Sequence, residues 1–468
     1  MINFARHFPT ICRFLIIKIG GFAPFPCEKK RMQTMHRKIL HLAIPSIVSN
    51  ITVPLLGMVD VAIMGHMELA RWYVAAIAVG SMAFNILYWL LSFLRFGTGG
   101  MTAQAYGAAD EEQCCRLLVR SLTVAAMLAA VILLLQWPLC KLIVWIIAPD
   151  PFIVGLVRQY FYVCVWGALP SLGLFSLTGW FVGMQNTRLP MAVSIVQNVL
   201  NIVLSFVFVF WAGMSVTGIA LGTLLAQWAG FAIGLVAVGM KYSAMFAKVK
   251  GVFRSTLDDY ISFFRVNVTL FMRTLFLIAV NVWIIVAGAK GGAVILAVNS
   301  VMMQMFILYT YILDGFAFAA EALCGRYFGA RDKQHFEMAL KGIWQWAIGL
   351  TVCYTLAYAL GGQLFTDMLT TDDLTRSVAA DYRIWAVLIP VCGVAAFVWD
   401  GVFVGLTNTV GMLKGTMGGA IAFFAAYFVL QKELGNHALW IAFDLYLLMR
   451  GIVQHVIFRK ERNNGITI

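Results

Sequence analysis

Twelve apolar runs of about 20 residues each, separated by short polar stretches, follow one another along the chain. They fall at 39–64, 74–98, 117–136, 161–183, 189–211, 216–240, 260–287, 294–318, 339–360, 384–405, 412–430 and 438–458. Each can cross ~30 Å of hydrocarbon as a helix. In lipid every backbone N–H and C=O must be satisfied within the protein, which a helix does locally. No polar stretch between the runs is long enough to build a soluble domain. The pattern predicts an all-α integral membrane protein of twelve transmembrane helices, numbered here helix 1 to helix 12.

The runs are not twelve independent sequences. "FVGMQNT" at 181–187 returns as "FVGLTNT" at 403–409, and "YGAAD" at 106–110 returns as "FGARD" at 328–332. Both pairs are separated by 222 residues; a third, "AVGS" at 78–81 against "AVNS" at 297–300, is separated by 219. Matches in order at nearly one offset mean an internal duplication. Each copy holds six helices, an even number, so both enter the membrane from the same side. Such parallel repeats are related by an axis along the membrane normal, and two six-helix bundles enclose a central cleft. The repeated "FVG-x-x-NT" reads as a duplicated loop and cap that ends helices 4 and 10.

Composition agrees with this reading. Hydrophobic residues make up 62% of the chain and charged ones 12%, about half the share of a soluble protein. The net charge of +13 is placed by the helices. With both termini in the cytoplasm, the inner loops hold Arg116, Arg120, Arg188, Lys241, Lys248, Arg326, Arg331 and Lys333, while the outer ones hold few basic residues. That asymmetry follows the positive-inside rule and accounts for the charge without nucleic acid. The chain divides into an N-terminal tail (1–35), an N-lobe of helices 1–6 (36–240), a cytoplasmic linker (241–256), a C-lobe of helices 7–12 (257–459) and a C-terminal tail (460–468). Met32 and Met35 lie in a basic cluster, and a start at either would remove most of the tail. The nine cysteines form no C-x-x-C and sit mostly in apolar runs, so they read as buried thiols. The histidines have no metal-ligand spacing, and neither a metal nor a cofactor is expected.

Several chemistries are excluded. Without a Gly-Lys dipeptide there is no phosphate-binding P-loop, and neither G-x-S-x-G nor H-E-x-x-H occurs. An enzyme is not expected. Uphill movement would draw on an ion gradient, which needs a chargeable group inside the membrane. Intramembrane acids are expensive and are functional candidates by default. Asp60 lies within helix 1, and Pro54 and Pro45 in the same helix remove internal hydrogen bonds and offer a hinge. Asp314 and Glu321 share a face of helix 8, two turns apart. At an offset of 219 Asp314 matches Arg95 of helix 2, which suggests an Arg95–Asp314 ion pair across the cleft. Asp400 of helix 10 stands where the first copy has Thr178. Asn198 and Asn201 lie one turn apart in helix 5 and can bond across helices.

The stretches "IPSIVSNITVPLLGMVDVAIMGH", "GMTAQAYGA", "LDGFAFAAEA", "FGARD", "DGVFVG", "LGNHALW" and "LMRG" resemble the multidrug and toxic compound extrusion (MATE) family, in particular its DinF branch, over about residues 36–460. The resemblance implies efflux of lipophilic, often cationic, compounds through two six-helix lobes, driven by protons or sodium. It places the family's helix 1 proton-site aspartate on Asp60 and its helix 10 aspartate on Asp400. Many members read N-x-x-N-x-x-x-D in helix 5; Asn198 and Asn201 match, but Ser205 replaces the acid. The function expected is an antiporter of the inner membrane that exchanges protons, or alternatively sodium, for small amphipathic molecules. It would act as a monomer in the lipid bilayer. The alternative is a flippase for a lipid or lipid-linked sugar, which basic residues in the cleft would favour.

Overall fold

The computed structural model describes residues 26–65, 70–249 and 256–464. Twelve helices within them are long and apolar enough to cross a membrane. In the first half these are α1 (Pro26–Gly65), α2 (Arg71–Gly107), α3 (Glu111–Leu134), α4 (Pro151–Gly183), α5 (Arg188–Trp211) and α6 (Val216–Lys248). In the second half they are α7 (Leu257–Lys290), α8 (Ala293–Gly329), α9 (Lys333–Leu369), α10 (Asp373–Gly405), α11 (Thr409–Leu434) and α12 (Asn436–Asn463). They correspond one to one with the twelve expected helices, and all but α3, which ends at Leu134 rather than 136, reach or pass the expected bounds. Hydropathy marks only the part of a helix that lies in hydrocarbon; polar and basic turns beyond it remain helical. Thus α1 begins at Pro26, inside the stretch read as a tail, and α6 runs to Lys248, inside the stretch read as a linker. Residues 1–25 lie outside the described residues.

Polar residues set the helix starts. Asp110, Asp332, Asp372 and Asn408 each accept a backbone N–H from the first turn of the helix they precede, satisfying one of its orphan donors. At Asp332, outside the apolar span, the accepted backbone N–H of His335 is the main cause holding the carboxyl below its usual range. α3 and α9 differ at their far ends. α9 is continuous, whereas α3 stops at Leu134 and a separate short apolar helix, Gln136–Ile147, follows. Pro138 accounts for the break, because it has no N–H for the carbonyl one turn back.

The two halves repeat the same packing. In the first, α1 packs on α5, α2 and α3 on α4, and α5 on α6; in the second, α7 packs on α11, α8 and α9 on α10, and α11 on α12. The loops repeat in their backbone angles as well. Ala109 and Arg331, separated by 222, have φ of 57° and 54°; Gln185 and Thr407, also separated by 222, have φ of 61° and 53°. The second pair lies in the two copies of "FVG-x-x-NT", each a helix end followed by a tight left-handed turn.

The halves meet through α1 on α8, α2 on α8 and α2 on α7. Most of their hydrogen bonds lie toward the end that carries the duplicated loops, while Asn50 donates to the Tyr311 carbonyl (3.1 Å) further along α1 and α8. Lys38 donates to the Tyr327 hydroxyl (3.2 Å), Gln104 to the Gly405 carbonyl (2.8 Å) and Gln185 to the Ala322 carbonyl (2.7 Å). Arg120 of α3 pairs with Asp259 of α7 at 3.2 Å. At this end α2 and α8 cross so closely that a Cβ on Gly107 would overlap the Arg326 carbonyl oxygen, and one on Gly329 would overlap that of Gln104. Gly107 and Gly329 are separated by 222, as are Gln104 and Arg326. The contact is therefore reciprocal, as a pseudo-twofold axis between the helices requires.

Candidate functional site

Between the halves lies a cleft of about 580 Å³. Residues related by the repeat face it from both sides: Trp89 with Tyr311, Ser92 with Asp314, and Phe96 with Phe318. A smaller cavity of about 280 Å³ adjoins it toward α1, α4 and α5 and shares Trp89, Ser92, Phe96, Asp314 and Phe318. Asp314 thus stands where the two cavities join. The larger one extends from Glu321 toward Asn281 and Phe306, away from the end where the halves are zipped together.

The helix ends correct the expected register. α2 and α8 are both 37 residues long, and their starts and ends are each separated by 222. Asp314 therefore corresponds to Ser92, the residue at which α2 breaks between Leu91 and Phe93, and Arg95 corresponds to Ala317. The Arg95–Asp314 ion pair is replaced by another: Arg95 donates to Glu321 at 3.1 Å, with both residues buried. The guanidinium also lies on the Phe318 ring, 3.7 Å from its centre. The shift is two helical turns along the same face of α8. Asp314 remains within the electrostatic reach of Arg95, Asp400, Arg273 and Arg450.

Removing one member of a buried ion pair leaves the other charge uncompensated, at about 3–5 kcal/mol. Glu321→Ala should therefore lower the thermal midpoint of the purified protein markedly, and Glu321→Gln should lower it less. A midpoint unchanged in Glu321→Ala would mean that the pair does not hold the halves together.

Asp400 is not an open carboxylate. Its Oδ2 accepts from Arg273 of α7 and from Arg450 of α12 (2.6 Å), and its Oδ1 accepts from Gln454 (2.7 Å). Arg450 and Gln454 were not singled out as site residues from the sequence. The signal was present: a guanidinium inside an apolar run requires a buried partner, and Arg450 lies inside helix 12.

Asp60 is also buried, with 8% of its surface exposed, and its Oδ1 has no hydrogen-bond partner among the described residues. It is not among the residues lining either cavity. Instead it lies within the first half, in electrostatic reach of Tyr160 and Cys164 of α4. The Tyr160 hydroxyl is hydrogen-bonded to Ser81 of α2 at 3.2 Å. Asn201 of α5 donates to Thr223 at 2.9 Å, leaving its Oδ1 without a partner, as are Asn198 Nδ2, Ser205 Oγ and Gln227 Oε1. No hydrogen bond among the described residues joins Asp60 to either asparagine. Pro45 and Pro54 lie inside α1, which is helical without interruption from Pro26 to Gly65.

Comparison with known proteins agrees with this arrangement. The chain matches the MatE family model over residues 45–207 and 268–422, one stretch in each half. It is 36% identical over 440 residues to DNA damage-inducible protein F of Escherichia coli (strain K12), covering 92% of this chain and 93% of that protein. It is 25% identical to the probable multidrug resistance protein NorM of Photorhabdus laumondii, covering 72% of this chain and 74% of that one. Among solved structures, a crystal structure of MATE in the bent conformation superposes with a TM-score of 0.83 at 18% identity, covering 92% of this chain and 97% of that one.

Proposed function

Because the chain belongs to the MatE family of multidrug efflux transporters, we propose that it exports lipophilic small molecules in exchange for protons, with Asp60 as the coupling carboxylate. The observation that carries this reading is Asp60 itself: an acid buried in an apolar span with one oxygen unpartnered. Among the described residues no hydrogen bond to Oδ1 is lost when such a group takes up or releases a proton. It lies off the cleft, so its charge acts on α1 and α4 rather than on substrate. α1 also packs on α8 of the other half. A change at Asp60 can therefore tilt α1, with Pro45 and Pro54 as the bend, and alter how the halves meet. In the same half Asn201 Oδ1 and Ser205 Oγ are unpartnered oxygens that would also suit sodium, and Asn198 adds an unpartnered amide nitrogen that would not.

The positive charges support a reading in which the duplicated-loop end and both termini lie on the cytoplasmic side of the inner membrane. The lobes are joined at that end, so the cleft faces outward in this state. A cationic substrate would be held at Asp314, since Asp400 already has two guanidiniums. The protein would act as a monomer, since the cleft lies within one chain. The residues assigned to the N-lobe (36–240) and C-lobe (257–459) would rock against each other about that cleft.

The test is movement of a fluorescent cationic dye by energised proteoliposomes. Dye accumulation should collapse with a protonophore and persist without sodium. Accumulation that survives the protonophore but needs sodium would overturn proton coupling.

A further inference from the structure

The cleft carries an unequal set of charges on its α7–α12 wall. Arg273 and Arg450 converge on a single carboxylate, and both donate to the same oxygen of Asp400. Glu321 offers this wall no compensation, because it is engaged by Arg95. Two guanidiniums on this wall therefore share one bonded carboxylate, a surplus of cation among its paired groups. Donors are in surplus too. A guanidinium has five N–H groups, and the Nε of both arginines is buried without an acceptor, as is the Tyr446 hydroxyl beside them. All three residues line the cleft and are at least nine-tenths buried. Arg450 is flanked by the rings of Phe397 (5.8 Å) and Tyr446 (5.3 Å), and Phe306 and Phe443 continue the apolar surface beyond it. The repeat does not require this arrangement: Thr178 stands in the first half where Asp400 stands in the second.

We propose that the Arg273–Arg450 wall is a head-group site for acidic amphiphiles, molecules that carry a carboxylate, sulfonate or phosphate on an aromatic or aliphatic body. The acid head accepts from the cleft-facing N–H groups of the two guanidiniums in charge-assisted bonds, and the body lies along the Phe306–Phe397–Phe443 surface. Asp400 holds the arginines in place as their built-in counter-ion. Asp314, on α8 of the same half, lies within electrostatic reach of the same two arginines and is the acidic pole of the cleft. The cleft therefore has one place for an acid and another for a base. This deepens the efflux reading and rests on it only in taking the cleft as the substrate site.

The experiment uses three probes with one fluorophore: dansylglycine, which is acidic, dansyl amide, which is neutral, and dansylcadaverine, which is basic. Each is titrated into the purified full-length protein in detergent with no ion gradient. Wild-type protein should bind dansylglycine about fivefold or more tightly than dansyl amide, the return from a charge-assisted contact. Arg450→Gln should remove that difference, and Asp400→Asn, which releases the arginines, should widen it. Dansylcadaverine should bind more weakly to Asp314→Asn and should not be weakened by Arg450→Gln, which removes a positive charge near Asp314. Equal binding of dansylglycine and dansyl amide by wild type would overturn the proposal, and that comparison needs no variant to fold. Displacement of dansylglycine by phosphatidic acid as well as by octanoate would assign the site to a lipid acid; displacement by octanoate alone would assign it to a free one. Loss of gradient-driven transport with this binding intact would count against the antiport reading and not against the head-group site.

Discussion

Asp60→Asn should reduce proton-driven dye movement to the level of protein-free liposomes while leaving the protein folded. The two halves of that expectation have separate reasons. Folding should survive because, among the described residues, Asp60 makes no ion pair and its Oδ1 has no hydrogen-bond partner. The substitution keeps the shape and removes a buried ionisable group, a change that is costly only where a partner is left behind. Transport should fail because an amide cannot exchange a proton. Each proton that enters supplies about 2.3 kcal/mol per 100 mV, enough for about a fiftyfold gradient of a neutral compound. Without a proton carrier the lobes retain their substrate cleft but lose the source of direction. Dye should therefore still bind, read by fluorescence polarisation without a gradient. Full dye accumulation in Asp60→Asn would move coupling to Asp314, the acid at the junction of the two cavities.

What the sequence made legible here was the repeat, and what it left open was the pairing across it. The offset of 222 could be read from two motifs, and it reappears in the helix ends, in the left-handed residues Gln185 and Thr407, and in the reciprocal glycines. The offset of 219 in the outer halves of helices 2 and 8 is one turn away from 222. A helix face repeats nearly every three or four residues, so a one-turn slip keeps apolar residues facing inward and leaves no trace in the hydropathy pattern. Asp314 and Glu321 share one face for the same reason. Which of them meets Arg95 depends on how far α2 and α8 slide along each other, and that is fixed at their crossing by backbone contact at Gly107 and Gly329. Asp400 presents a different limit. Its acidity and burial were visible, but its partners come from α7 and α12, 127 and 50 residues away. Only the packing of α7 and α12 around α10 brings those residues together. Read alone, Asp400 resembles a cation site; with Arg273 and Arg450 beside it, the wall it belongs to is cationic.

The same crossing yields the second large effect. Gly107→Val and Gly329→Val should each abolish transport, and to a similar extent. In the state described here, the first Cβ would overlap the Arg326 carbonyl oxygen and the second the Gln104 carbonyl oxygen. Both obstacles are backbone, which cannot swing aside as a side chain can. Overpacking of this kind costs about 1–3 kcal/mol. The cost falls on the state in which the loop end is closed; a state with the lobes parted there has no overlap to relieve. A penalty of this size on one side of a two-state equilibrium shifts it roughly five- to a hundredfold. The variants should therefore fold, since nothing is lost within either half, but rest with the loop end open. Spin labels on cysteines at the exposed positions Ala108 and Ala330, in a background without other reactive thiols, would read this directly as a longer separation than in the parent. The pseudo-twofold adds a sharper condition. Because the two glycines exchange roles across the axis, a large effect at one and none at the other would contradict the reciprocal crossing, even if transport were lost in both.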